Sequence, residues 1–121
     1  MSYFKYSRQK LFIENTSVLN IIKKNKTPFY LYSAKQIKEN YINFAKTFKN
    51  VNPLICFAAK ANTNLAIMRM LGKLGSGADV VSGGELLKAL KAGIKPSKIV
   101  FSGVGKTGEE LKLAIKNKIL L

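Results

Sequence analysis

The sequence has no histidine, a single cysteine at Cys56, two arginines and six acidic residues among 121 positions. One cysteine cannot build an internal disulfide framework. Without histidine, and with one cysteine, the usual ligand sets for zinc are missing too, so no metal site is expected. The longest apolar run, Leu54 to Ala59, is far too short to cross a bilayer. Near the N-terminus Leu11-Phe12-Ile13 is cut off by Glu14, which makes a poor signal-peptide core. A soluble cytoplasmic protein with no membrane partner is the expectation.

Lysine is abundant instead. The formal net charge is +15, which raises the possibility of a non-enzymatic basic module that binds nucleic acid. The placement of the charge argues against it. Lys35, Lys38, Lys46 and Lys49 fall on one predicted helix, Lys88 and Lys91 on another, and Lys112 and Lys116 on a third. Arginine, which grips phosphates and reads bases with two parallel hydrogen bonds, occurs only at Arg8 and Arg69. Solvated helix faces account for the lysines, and no nucleic-acid partner is expected. Apolar residues make up 47%, enough to form a buried core.

From residue 54 onward one unit repeats: an apolar strand, a short polar turn, an amphipathic helix and a glycine stop. The first strand is Leu54 to Ala59, and Asn62 or Thr63 is placed to cap a helix carrying Leu65, Met68, Leu71 and Leu74 that ends near Gly75. The second strand is Ala78 to Val81. Ser82-Gly83-Gly84-Glu85 then reads as a capping box before Leu86, Leu87 and Leu90, with a stop at Gly93. The third strand is Ile99 to Ser102. Thr107-Gly108-Glu109-Glu110 is a further capping box, opening a helix with Leu111, Ala114 and Ile115. Ile119-Leu120-Leu121 reads as the start of a fourth strand. Strand–helix repetition with short loops means an α/β fold with parallel strands. The unit length suits a (β/α)8 barrel, a partial one here with three to four units, since a whole barrel takes about 250 residues. Upstream, Ser33-Ala34-Lys35-Gln36 is another capping box, and Ile37, Tyr41, Phe44 and Phe48 share one helix face. Phe29-Tyr30-Leu31-Tyr32 reads as an aromatic strand. Residues 1–32 read as an N-terminal extension and 33–121 as the barrel portion.

Lys60 stands directly after the first strand. Alternation puts Leu54, Cys56, Ala58 and Lys60 on one face and Ile55, Phe57 and Ala59 on the other. The bulky face suits covering helices, and the small one suits a barrel interior. A lysine pointing inward there would be desolvated, which favours the neutral amine that forms a Schiff base. Asp79, on the neighbouring strand, could stabilise the protonated form. A lysine that merely ends a strand and reaches solvent fits the periodicity equally well.

Phe57-Ala58-Ala59-Lys60-Ala61-Asn62 resembles the cofactor-lysine motif of fold-type III pyridoxal-phosphate decarboxylases. Gly77-Ala78-Asp79-Val80-Val81-Ser82-Gly83-Gly84-Glu85-Leu86 and Ile99-Val100-Phe101-Ser102-Gly103-Val104-Gly105-Lys106-Thr107 resemble the diaminopimelate decarboxylase branch, as does Thr27 to Tyr32. The resemblance implies the alanine racemase-like barrel, pyridoxal 5'-phosphate carried on Lys60, Asp79 as an inner-face acid beside it, and Ala58 and Glu85 as supporting residues. It implies decarboxylation of the small amino acid meso-diaminopimelate to L-lysine by a homodimer. Ornithine/arginine-type decarboxylases are the alternative, but they carry a Cys-Ala-Ser-type sequence where Val80-Val81-Ser82-Gly83-Gly84 stands. Alanine racemases continue the lysine motif with Tyr-Gly-His-Gly, against Thr63-Asn64-Leu65-Ala66 here. Gly103 to Gly108 also fits G-x-G-x-x-G, and Gly105-Lys106-Thr107 the end of a P-loop, but Val100 stands where a P-loop needs glycine. By the same resemblance the phosphate loop, the partner of the pyridine nitrogen and a C-terminal β-domain come later in such enzymes. A chain of residues 1–121 alone is therefore expected to be inactive and poorly folded.

Overall fold

A computed structural model describes residues 3–121. The chain forms two compact units, Met1–Tyr41 and Ile42–Leu121.

In the first unit, strands β1 (Phe4–Ser7), β2 (Lys10–Ile13) and β3 (Thr16–Ser17) form an antiparallel meander that leads into the short helix α1 (Val18–Ile22). Arg8 and Gln9 both adopt positive φ, 47° and 62°. This is the conformation that a tight two-residue hairpin requires. Neither residue advertises such a turn, so the hairpin is not visible in the sequence. The aromatic strand expected at residues 29–32 does not form: the segment has no ladder partner among the described residues, and Tyr30 is exposed. Ser33 caps helix α2 (Ala34–Thr47) by accepting from Gln36 N–H, but Gln36 does not complete a capping box. Glu14 reinforces the cap from a distance instead. Its Oε1 accepts from Ser33 Oγ at 2.6 Å and from Lys35 N–H at 3.0 Å. The division between the units falls within α2. Of the expected apolar face, Ile37 and Tyr41 are half-buried, whereas Phe44 and Phe48 are exposed and stack edge-on at 5.1 Å.

The second unit is built on a parallel sheet, β4 (Cys56–Ala58), β5 (Gly77–Val80) and β6 (Ile99–Phe101), with β5 in the centre. Helices α3 (Leu65–Lys73), α4 (Gly83–Lys91) and α5 (Gly108–Lys116) come after the three strands in turn. A parallel bridge from Val100 to Leu120 starts a fourth position in the sheet, as expected for residues 119–121. The pleat separates two faces. Ala78, Val80, Ile99 and Phe101 point into the core, where they meet Met68, Leu86, Ala89 and Ala114 from the helices. All of these are essentially inaccessible, and burying the Phe101 ring alone contributes about 1.5–3 kcal/mol. Three residues expected inside are exposed instead, Leu74, Leu87 and Ile115. On α5 the expected Ala114 is joined at the core by Leu113 rather than by Ile115.

The β4 strand is shorter than its apolar run. Leu54 is exposed and Ala59–Ala61 forms a single 3-10 turn. The expected cap of α3 also moves: Asn64, not Asn62 or Thr63, accepts from Ala66 N–H at 2.8 Å. Ser82 caps α4, but Glu85 Oε2 reaches Val81 N–H rather than closing a box on Ser82. At α5 the box is complete, between Thr107 and Glu110. Glu110 does more, since its Oε1 accepts from Gly83 N–H at 2.7 Å and so ties the start of α4 to that of α5. These hydrogen bonds, from Thr107 first and then Gly83, hold its carboxyl below the usual range.

The packing around Gly77 and Glu110 leads to two predictions. A Cβ at Gly77 would lie 2.3 Å from Lys98 O and 2.7 Å from Cys56 Sγ, whereas one at Gly108 would meet nothing within 4 Å. Gly77→Ala should therefore destabilise the protein by about 2–3 kcal/mol in denaturant unfolding, and Gly108→Ala should be neutral. Glu110 contributes stability that is present above the ordinary carboxylate pKa. That contribution is lost as pH falls through the lower folded-state value. Glu110→Gln should lower the unfolding midpoint near neutral pH and flatten its decline in acid, measured by thermal melts across pH.

Candidate active site

The register of the parallel sheet sets Ala58 beside Asp79 and Asp79 beside Val100. These three residues form a row on the face turned away from the helices, and each is half-buried. Cys56 and Gly77 form the row before it. The grouping has an electrostatic signature. The Cys56 thiol is pushed above its ordinary value, by burial first and then by the negative charge of Asp79. Cys56 otherwise makes only a long contact with Lys98 O at 3.9 Å, consistent with a small residue filling space against Gly77.

Lys60 lies two residues beyond Ala58, in the 3-10 turn that ends β4. Strand alternation would direct it inward and desolvate it. The turn interrupts the alternation, and Lys60 is exposed, so the described residues do not supply the expected desolvation. Its neighbour Ala59 is fully buried in the core and anchors the turn. Asn62 shapes the connection from this turn to α3. Its N–H returns to Ala59 O at 3.1 Å, and its Oδ1 accepts from Asn64 N–H at 3.0 Å. An asparagine side chain that imitates a backbone turn gives this loop one course into α3. Lys88 on α4 adds a further tie, from Nζ to Thr63 Oγ1 at 2.9 Å. Among the described residues the amine of Lys60 is thus left unengaged, on a loop held from several sides.

Among the described residues Asp79 has one hydrogen-bond partner, Ser102, whose hydroxyl donates to Oδ1 at 2.5 Å. In the sequence Ser102 reads only as a strand end, because nothing in its spacing marks it as facing Asp79. Glu85 sits at the start of α4 and holds the backbone of Val81, two residues beyond Asp79. Gly103 lets the loop after β6 lie against the loop after β5, since a Cβ there would fall 2.6 Å from Val81 O. The strand ends therefore present an accessible primary amine, a carboxylate with a fixed partner, and small side chains between them. An aldehyde-bearing cofactor could be held covalently by such an amine, with the carboxylate supporting positive charge nearby.

Among the described residues no helix is long and apolar enough to cross a membrane. The chain is 58% identical over 95 residues to diaminopimelate decarboxylase of Helicobacter pylori, covering 78% of this chain and 24% of that protein. It is 47% identical over 119 residues to diaminopimelate decarboxylase of Aquifex aeolicus, covering 98% of this chain and 28% of that protein. The crystal structure of M. jannaschii diaminopimelate decarboxylase in complex with L-lysine superposes with a TM-score of 0.91 at 40% identity, over 96% of this chain and 28% of that one. The chain thus spans about a quarter of the length of the curated relatives it matches. The family model described as pyridoxal-dependent decarboxylase, pyridoxal binding domain, matches residues 34–121. With that match over most of the chain, and with three parallel βα units carrying the lysine motif just beyond their first strand, this chain belongs to the pyridoxal-dependent decarboxylases and forms part of their pyridoxal binding barrel.

Proposed function

We propose that this chain supplies the opening βα units of a diaminopimelate decarboxylase, a cytoplasmic homodimer that releases CO2 from meso-diaminopimelate to give L-lysine. The observation that carries the reading is the placement of Lys60 directly after β4, next to the row formed by Ala58 and Asp79, in a chain 58% identical to a protein of that name. The L-lysine held by the M. jannaschii relative is the product this reaction would form.

Pyridoxal phosphate, when bound, supplies the electron sink for the carbanion left by departing CO2. Lys60 would hold the cofactor through its amine, which the loop from Ala59 to Asn64 presents with no competing hydrogen bond among the described residues. Asp79 places a carboxylate in the same row as Ala58, where it would offer negative charge toward a bound cofactor. Ala58, beside it, leaves room on the same face. Glu85 acts at one remove, by fixing the Val81 backbone after Asp79. The ornithine/arginine branch is disfavoured by Val80 to Gly84, which match the diaminopimelate pattern.

Borohydride treatment of the cofactor-loaded protein should attach the label to Lys60, located by peptide mass spectrometry. Lys60→Ala should lose the adduct and lower turnover about a thousandfold or more. A label on another lysine would remove Lys60 from this role. The complete reading frame that contains this chain should also rescue a lysine auxotroph. Rescue of a polyamine auxotroph alone would move the assignment to the ornithine/arginine branch.

A further inference from the structure

We infer that Ser102 is a positioning residue for Asp79: its hydroxyl keeps the carboxylate in one orientation on the inner face of the sheet, ready for the cofactor held by Lys60. The inference rests on the proposed roles of Lys60 and Asp79. The contact from Ser102 Oγ to Asp79 Oδ1, 2.5 Å long, falls in the range of a hydroxyl donating to a charged oxygen. Among the described residues it is the one hydrogen bond that this carboxylate makes. No cation is paired with it there, so no other contact selects a rotamer for it.

Ser102 is itself held firmly. Its N–H donates to Val80 O at 3.0 Å, which extends the β5–β6 ladder by one residue beyond the strand. The next residue, Gly103, packs so closely on the Val81 backbone that no side chain fits there. Gly103 O in turn accepts from Lys106 Nζ at 2.7 Å. The hydroxyl thus issues from a backbone pinned on both sides, and its reach is set by the sheet rather than by a mobile loop. A half-buried aspartate without such a donor would sample several rotamers, and ordering it when the cofactor arrives would weaken binding. Through Ser102 that ordering is already done before the cofactor binds.

The test combines a double-mutant cycle with crystallography, on the protein encoded by the complete reading frame. Pyridoxal phosphate affinity is measured by absorbance titration for the unsubstituted protein, Ser102→Ala, Asp79→Ala and the double variant. Ser102→Ala should weaken cofactor binding about fivefold, the worth of one hydrogen bond, and add nothing in the Asp79→Ala background. Ser102→Thr, which keeps the hydroxyl, should restore affinity. Crystals of cofactor-free Ser102→Ala should show Asp79 in a changed rotamer or in several. An equal loss in both backgrounds, or an unmoved Asp79 in the cofactor-free variant, would overturn the inference. If Asp79→Ala binds too weakly to titrate, the rotamer alone decides. A borohydride label away from Lys60 would refute the underlying assignment instead, while the rotamer result would still report on Ser102 and Asp79.

Discussion

The central strand of the second unit must satisfy two environments at once. β5 is paired on both edges, so its backbone is spoken for and only its side chains can differ from face to face. Ala78 and Val80 go into a closed core with no measurable exposure. Gly77 and Asp79 face the other way. A carboxylate at either core position would face a desolvation cost of several kcal/mol without a partner. The alternation that builds the core therefore also delivers Asp79 to the opposite face, and register passes that position on to Ala58 and Val100. Gly77 is part of the same constraint. Between Lys98 O and Cys56 Sγ there is no room for a methyl group, so the strands reach their spacing only with glycine there.

The rim depends on a second economy. The chain has six acidic residues against twenty-one basic ones. Four of the six accept hydrogen bonds that fix a loop or a helix start or bear on the site: Glu14 on Ser33 and Lys35, Asp79 on Ser102, Glu85 on Val81, and Glu110 on Gly83 and Thr107. Glu85 and Glu110 act at helix N-termini, where N–H groups lack intrahelical partners and the helix dipole favours negative charge. The lysines are mostly left on solvated faces. Net charge thus says little about what the chain does, whereas the placement of its few carboxylates says a good deal.

Much of this architecture is legible in the sequence. The parallel βα order, the glycine stops at Gly75 and Gly93, the caps at Ser82 and Thr107 and the placing of Asp79 all come from periodicity and capping chemistry. The failures share a cause. Glu14 closing the cap of α2, Glu110 reaching Gly83, and Ser102 facing Asp79 are contacts between residues 19 or more apart, set by tertiary packing that local patterns do not encode. The aromatic run at residues 29–32 shows the converse error. Strong β propensity forms no strand without a partner to complete the ladder, whereas the β1–β2 hairpin forms around Arg8-Gln9, which carries no turn signal.

The position of Lys60 shows why the strand ends where it does. Had β4 run on through residue 60, the pleat would have fixed the lysine rigidly on the inner face. The 3-10 turn instead buries Ala59 completely and leaves Lys60 beyond it. Ala59 anchors the turn in the core, and Asn62 and Asn64 hold the exit into α3 through their side-chain oxygens. The amine is thereby carried on a four-carbon stem from a turn tied to the core and to the loop that follows. That combination fits the cofactor-holding role proposed for Lys60, because the stem supplies reach while the turn sets where the side chain starts.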